Sequence, residues 1–153
     1  MRRQELLSGL CLYAVLLTVA LLYWQGLQGP WLLDDMSNLG ILSMLDSPDT
    51  YWSEIVTSNR SGLLGRPVSI LSFIADYQAG GLSPSQFKYT NLLLHLLCIC
   101  LIFWLTLEIS RGLNNGQPTF AAALLATAIW AFSPLLVSTV LYAVQRMAQL
   151  ASL

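Results

Sequence analysis

Two adjacent carboxylates, Asp34 and Asp35, stand just past the first long apolar run of this 153-residue chain. Such a pair can do two kinds of chemistry. One carboxylate can take a proton from an acceptor hydroxyl as general base. One or both can hold a divalent cation, Mg or Mn, against a phosphate or diphosphate. The same residues also read more plainly, with Asp35 as the N-cap of a helix and Asp34 as its solvated neighbour. Arg66 comes next, just before Pro67. A guanidinium beside a helix N-terminus suits a phosphate, because its fork of donors and the helix amides converge on one anion. It equally suits an arginine that snorkels from an interfacial helix towards headgroups.

Lys88, Asn91 and His95 fall at i, i+3 and i+7, on one face of the second apolar run. A polar group inside a membrane span faces the bundle or a water-filled cavity. His95 has no partner histidine for a metal, and a structural hydrogen bond to a neighbouring helix is its first reading. The third run carries Ser133-Pro134, then Ser138, Thr139 and Tyr142, then Gln145-Arg146. Pro134 breaks or kinks a helix, and polar residues after such a break fit a re-entrant or cavity-lining segment. Arg146 then reads either as buried near the outer leaflet with Gln145, or as a helix-end arginine at a headgroup.

The elements that must position these groups are membrane spans. Hydrophobic residues make up 56% of the chain and charged ones only 10%, against about 25% charged in a soluble domain. A net charge of −1 gives no electrostatic reason to expect nucleic acid. Cys11, Cys98 and Cys100 all lie in apolar stretches and read as packing residues, not as a disulfide or zinc framework. A spanning helix needs about 20 mostly apolar residues. Three uncharged runs supply them, predicting spans over 6–27, 86–109 and 119–136, with 137–153 as the start of a further helix. The first run follows Arg2 and Arg3 but is longer than a signal-peptide core and lacks a small-x-small cleavage site, so it is read as a retained anchor. Arg2, Arg3 and Arg111 place the N-terminus in the cytoplasm and the loop over 28–83 outside.

That loop predicts three short interfacial helices. One starts at Asp35 and carries Met36, Leu39, Leu42 and Leu45 at helical spacing; one starts at Ser47-Pro48-Asp49; one is opened by Pro67, with Ile70, Leu71 and Ile74 on a face, and ends at Gly80-Gly81. Asn59-Arg60-Ser61-Gly62 separates the last two, and Ser83-Pro84-Ser85-Gln86 reads as a capping box for the second span. The expected architecture is an all-α polytopic membrane protein, three spans plus these helices.

In order, Leu33-Asp34-Asp35-Met36-Ser37-Asn38, Arg66-Pro67-Val68-Ser69, Gly80-Gly81-Leu82-Ser83-Pro84, Asn91-Leu92-Leu93-Leu94-His95, Ser133-Pro134 and Gln145-Arg146-Met147 make a set. The set resembles the N-terminal part of the bacterial relatives of transmembrane-and-tetratricopeptide-repeat O-mannosyltransferases, within the polytopic C-type glycosyltransferase (GT-C) superfamily. The resemblance runs from about residue 7 to the end. It implies sugar transfer on the outer face of a bacterial inner membrane, from a polyprenyl-phosphate-linked donor to a protein or glycan acceptor. It makes Asp34 and Asp35 the catalytic or metal-site candidates and gives Arg66 and Arg146 to the donor phosphate. Asn38, Asn91, His95 and Gln145 become supporting polar residues. Ser133 departs from the pattern, standing where the family often has a histidine before the proline. Such enzymes have around ten or more spans and often a C-terminal repeat domain, so the chain is expected to be part of a larger bundle. The competing expectation is a non-catalytic membrane anchor or scaffold. A small transporter subunit fits less well, lacking paired intramembrane charges and inverted repeats.

Overall fold

The computed structural model describes residues 2–47, 49, 51–58 and 66–152. Among them the regular structure is all helical. The expected helix start at Pro48, the break over 59–62 with Arg60, and Gly65 lie outside the described residues.

Helix α1 (Arg2–Trp24) runs into a 3-10 turn over Gln25–Gln28. Beyond Glu5 nearly every side chain along it is apolar, and Leu6, Leu10, Tyr13, Leu17, Leu21 and Leu22 remain exposed, as suits a helix whose outer solvent is lipid. Helix α5 (Pro84–Leu113) is the second long apolar helix. Among the described residues these are the two helices long and apolar enough to cross a membrane. A third crossing exists if the pair α6 (Phe120–Ala131) and the segment Pro134–Leu141, bent by 50° at the break, counts as one span. Ser133 has extended backbone and Pro134 follows without an amide to donate, so the helix stops there as the proline predicts.

Beyond Pro134 the chain does not settle into one further helix over 137–153. It forms a 3-10 turn (Pro134–Leu136), α7 (Val137–Leu141), another 3-10 turn (Ala143–Gln145) and α8 (Arg146–Ser152), with Tyr142 extended between them. The cause is side-chain capture. Asn91 of α5 donates through Nδ2 to the carbonyls of Val140, Tyr142 and Ala143, at 3.2, 3.1 and 3.3 Å. Carbonyls satisfied from the side need no helical partner, so the break is stable in the interior.

Short helices form within the expected loop: α2 (Asp35–Leu39) with a 3-10 extension (Gly40–Asp46), α3 (Trp52–Ser58) and α4 (Pro67–Gly80). Leu39 and Leu42 are buried as the stripe predicts, whereas Met36 is exposed. The chain leaves α4 through Gly81 at φ +65°, ψ −164°, a region open essentially to glycine alone. The capping box at Ser83 does not form: its hydroxyl pairs with that of Ser85 at 3.0 Å, and no side chain caps α5.

Among the described residues two apolar cores result. One joins Val19, Tyr23 and Leu27 of the first helix and its turn to Leu92 and Ile99 of α5, Ala131 of α6 and Val140 of α7. The other joins Leu39, Leu42, Ile55, Ile70, Phe73 and Ile74 of the short helices to Phe87, Ala143 and Met147. Helix α5 belongs to both. At the crossing Gly26 lies so close to Leu141 that a Cβ there would meet its Cδ1 at 2.5 Å.

Candidate functional site

The two carboxylates diverge. Leu33, almost fully exposed, takes a left-handed φ of +46°, rare for a non-glycine residue, in the turn that leads into the pair. Asp34 then stands at the N-cap of α2 with its side chain exposed. It does not cap the helix; its Oδ2 accepts from Asn38 Nδ2 at 2.9 Å, and the same amide also reaches the Asp34 carbonyl at 2.9 Å. Asp35, read from the sequence as the N-cap, is instead the first residue of α2 and is fully buried. Its Oδ2 accepts from the Leu32 amide at 3.0 Å and its Oδ1 from the Val144 amide at 2.9 Å. A carboxylate that receives two backbone amides is fixed in one orientation.

Lys88 is buried beneath the same corner. Its ammonium donates to the carbonyls of Gly29 at 2.9 Å and Pro30 at 2.7 Å, and it feels the charge of Asp35. The chain leaving the first helix is thus tied to α5 by Lys88 and to the 142–146 segment by Asp35.

Arg146 is buried completely, and each of its three nitrogens donates. Nε reaches Asn91 Oδ1 at 2.8 Å, Nη2 the Phe87 carbonyl at 2.7 Å, and Nη1 the Ser72 carbonyl at 3.2 Å. Asp76 of α4 pairs with Nη2, and Phe73 packs its ring 4.6 Å from the guanidinium carbon. Burial pulls the guanidinium below its ordinary range and Asp76 pulls it back. Its donors are engaged by Asn91, Ser72, Phe87 and Asp76, and it ties α4, α5 and α8 together. Asp76 escaped the sequence reading. Its signal was faint but present, a lone acid in the apolar stretch between Pro67 and Glu108. Thr90 donates to its other oxygen at 2.7 Å.

Arg66 behaves differently. It is exposed at the N-cap of α4, and among the described residues Nη1 contacts the Met147 sulfur, at 3.2 Å. It borders a cleft of about 320 Å³ with Pro67, Ser69 and Ala148. His95 is buried in the spanning bundle, stacked on Trp130 at 5.2 Å and edge-on to Tyr23 at 5.7 Å. Gln145 is half-buried. The structure thus gathers Asp35, Lys88, Asn91 and Arg146 in its interior and leaves Asp34, with Asn38, and Arg66 facing outward.

A divalent cation finds little here. Both oxygens of Asp35 are engaged by amides, and among the described residues no group of three or more His, Cys, Asp or Glu converges. Asp34 alone would offer a ligand, so the donor set does not fit a resident metal held by the pair.

These features describe an all-helical chain with two or three helices suited to cross a membrane and with one exposed and one buried acid after the first of them. Over 84 residues, 55% of this chain, it is 32% identical to a protein named Protein O-mannosyl-transferase Tmtc1 from Drosophila melanogaster. The matched region is 9% of that relative's length. No family model matches the chain, and no solved structure matches it.

Proposed function

We propose that the chain is part of a membrane glycosyltransferase that moves a sugar from a polyprenyl-phosphate-linked donor to a protein or glycan acceptor on the extracytoplasmic face. The observation that carries the reading is the similarity to a protein named as an O-mannosyl-transferase. The geometry supports a division of labour. Asp34, exposed and steadied by Asn38, is the base: it takes the proton of an acceptor hydroxyl as the new bond to the sugar forms and the bond to the lipid phosphate breaks. Asp35 is a positioning residue, holding the turn from its buried side. Arg66, exposed at the start of α4, meets the departing phosphate. The N-terminus is placed in the cytoplasm, the helices α2, α3 and α4 at the outer surface of the bilayer, and the membrane, from the resemblance, is a bacterial inner membrane. Tetratricopeptide repeats belong to the same reading.

The test is transfer from polyprenyl-phosphate mannose by the full-length protein. Asp34→Asn should abolish transfer while leaving membrane insertion and folding within about 0.5 kcal/mol of the parent, as for other exposed substitutions. Parental transfer by Asp34→Asn removes Asp34 from the chemistry. A second reading, a non-catalytic anchor, is favoured by one observation: Asp35, Lys88, Asn91 and Arg146 are all consumed in holding the fold. Under it no variant alters transfer because the parent has none.

A further inference from the structure

At the other end of α2 and its 3-10 extension from Asp34, a cleft of about 760 Å³ opens between the three short helices. Its walls include Ser43, Asp46, Tyr51, Trp52, Tyr77 and Gln78. Volumes of about 300–1,000 Å³ are those of small-molecule sites. Part of the wall is fixed in advance: the Tyr77 hydroxyl donates to Asp46 Oδ2 at 2.8 Å, orienting both groups and leaving Oδ1 of Asp46 able to accept. Gly81, without a side chain, adds to the opening where α4 ends. Tyr51 and Trp52 offer their rings to the outside, 66% and 55% exposed.

The lining narrows what fits. An acyl chain would leave Ser43, Asp46 and Gln78 facing apolar matter without partners. An anionic headgroup or phosphate would meet the Asp46 carboxylate, and no lysine or arginine is among the described lining residues. A neutral pyranose meets both demands. Its C–H face lies on an aromatic ring, and its rim of hydroxyls gives and accepts hydrogen bonds to a carboxylate, an amide and a serine. We propose that this cleft binds a neutral glycan, stacked on Trp52 and Tyr51 and read by Asp46, Gln78 and Ser43. As a binding site it stands independently; that the glycan is the acceptor rests on the transferase reading.

Saturation-transfer NMR on the full-length protein in lipid nanodiscs, with mannotriose as the probe, tests it. The parent should transfer saturation to the ring protons, with an affinity that Trp52→Ala weakens about ten-fold and Trp52→Phe largely keeps, because a ring remains. Gln78→Ala and Tyr77→Phe should each weaken it several-fold. The alternative is that Tyr51 and Trp52 are aromatic anchors in the bilayer interface. Quenching of Trp52 by brominated lipid, with no mannotriose signal or with equal signals from parent and Trp52→Ala, overturns the proposal. Asp34→Asn separates the two readings. Mannotriose bound equally by parent and Asp34→Asn, with no transfer by either, sinks only the transfer reading. Transfer lost in Asp34→Asn, with no mannotriose bound by the parent, sinks only the glycan cleft.

Discussion

Replacing Asp76 with asparagine leaves the shape of α4 almost unchanged and removes one negative charge beside a cation that cannot leave. Arg146 is fully buried and its paired carboxylate nearly so. Breaking a buried pair by removing one partner costs on the order of 3–5 kcal/mol, because the remaining charge is left uncompensated. The Thr90 hydroxyl can still donate to the amide oxygen of asparagine, so little of that loss comes from Asp76's other contact. Arg146→Met removes the cation instead. It abandons the Phe87 carbonyl, Asn91 Oδ1 and Ser72 as well, each stranded acceptor adding roughly 1–3 kcal/mol. Arg146→Met is thus predicted to be the worse single variant. The two losses should also fail to add: Asp76→Asn in the Arg146→Met background neutralises an orphaned acid, so the double variant should be less damaged than the sum by about 0.5–3 kcal/mol. Unfolding of the purified protein in mixed micelles, followed by tryptophan fluorescence for the four members of the cycle, measures this. A parental midpoint for Asp76→Asn, or strict additivity, refutes the account of Arg146 as a buried, charge-paired tie.

Arg66 gives the opposite expectation. If it clamps a phosphate, Arg66→Lys should weaken donor use by roughly ten- to a hundred-fold, since lysine lacks the planar fork; rescue by lysine of what Arg66→Ala loses makes it a membrane anchor. The side of the membrane is checked with a cysteine at Ser47, exposed at the end of the 3-10 extension, after Cys11, Cys98 and Cys100 are replaced. A membrane-impermeant thiol reagent should label it in intact cells, and labelling only after lysis reverses the orientation.

The long helices were legible because their cause is composition. A run of some twenty apolar residues bounded by charge has few other solutions, and α1 and α5 fall close to where the runs lie. The break at Pro134 was legible too, through a missing amide. What could not be read was the partner of each polar residue. Asn91, Lys88 and Asp35 were conspicuous in the sequence, but they bind main-chain groups at Tyr142, Pro30 and Val144, and a backbone carbonyl or amide has no letter. For the same reason the Phe87 and Ser72 carbonyls that receive Arg146 could not be read. The order in which Asp34 and Asp35 face out and in depends on a left-handed Leu33, and leucine carries no cue for that conformation.

The bond from Asp35 to the Val144 amide spans 109 positions of sequence. At about 5–20 residues per second, some 5–20 s of synthesis separate the emergence of the carboxylate from that of its amide. Of the two amides that Asp35 accepts from, the Leu32 amide lies three residues away and is made first. The acidic corner is thus finished from the far end of the chain. The second tie of Asp35 therefore forms only once everything between the two residues has been made.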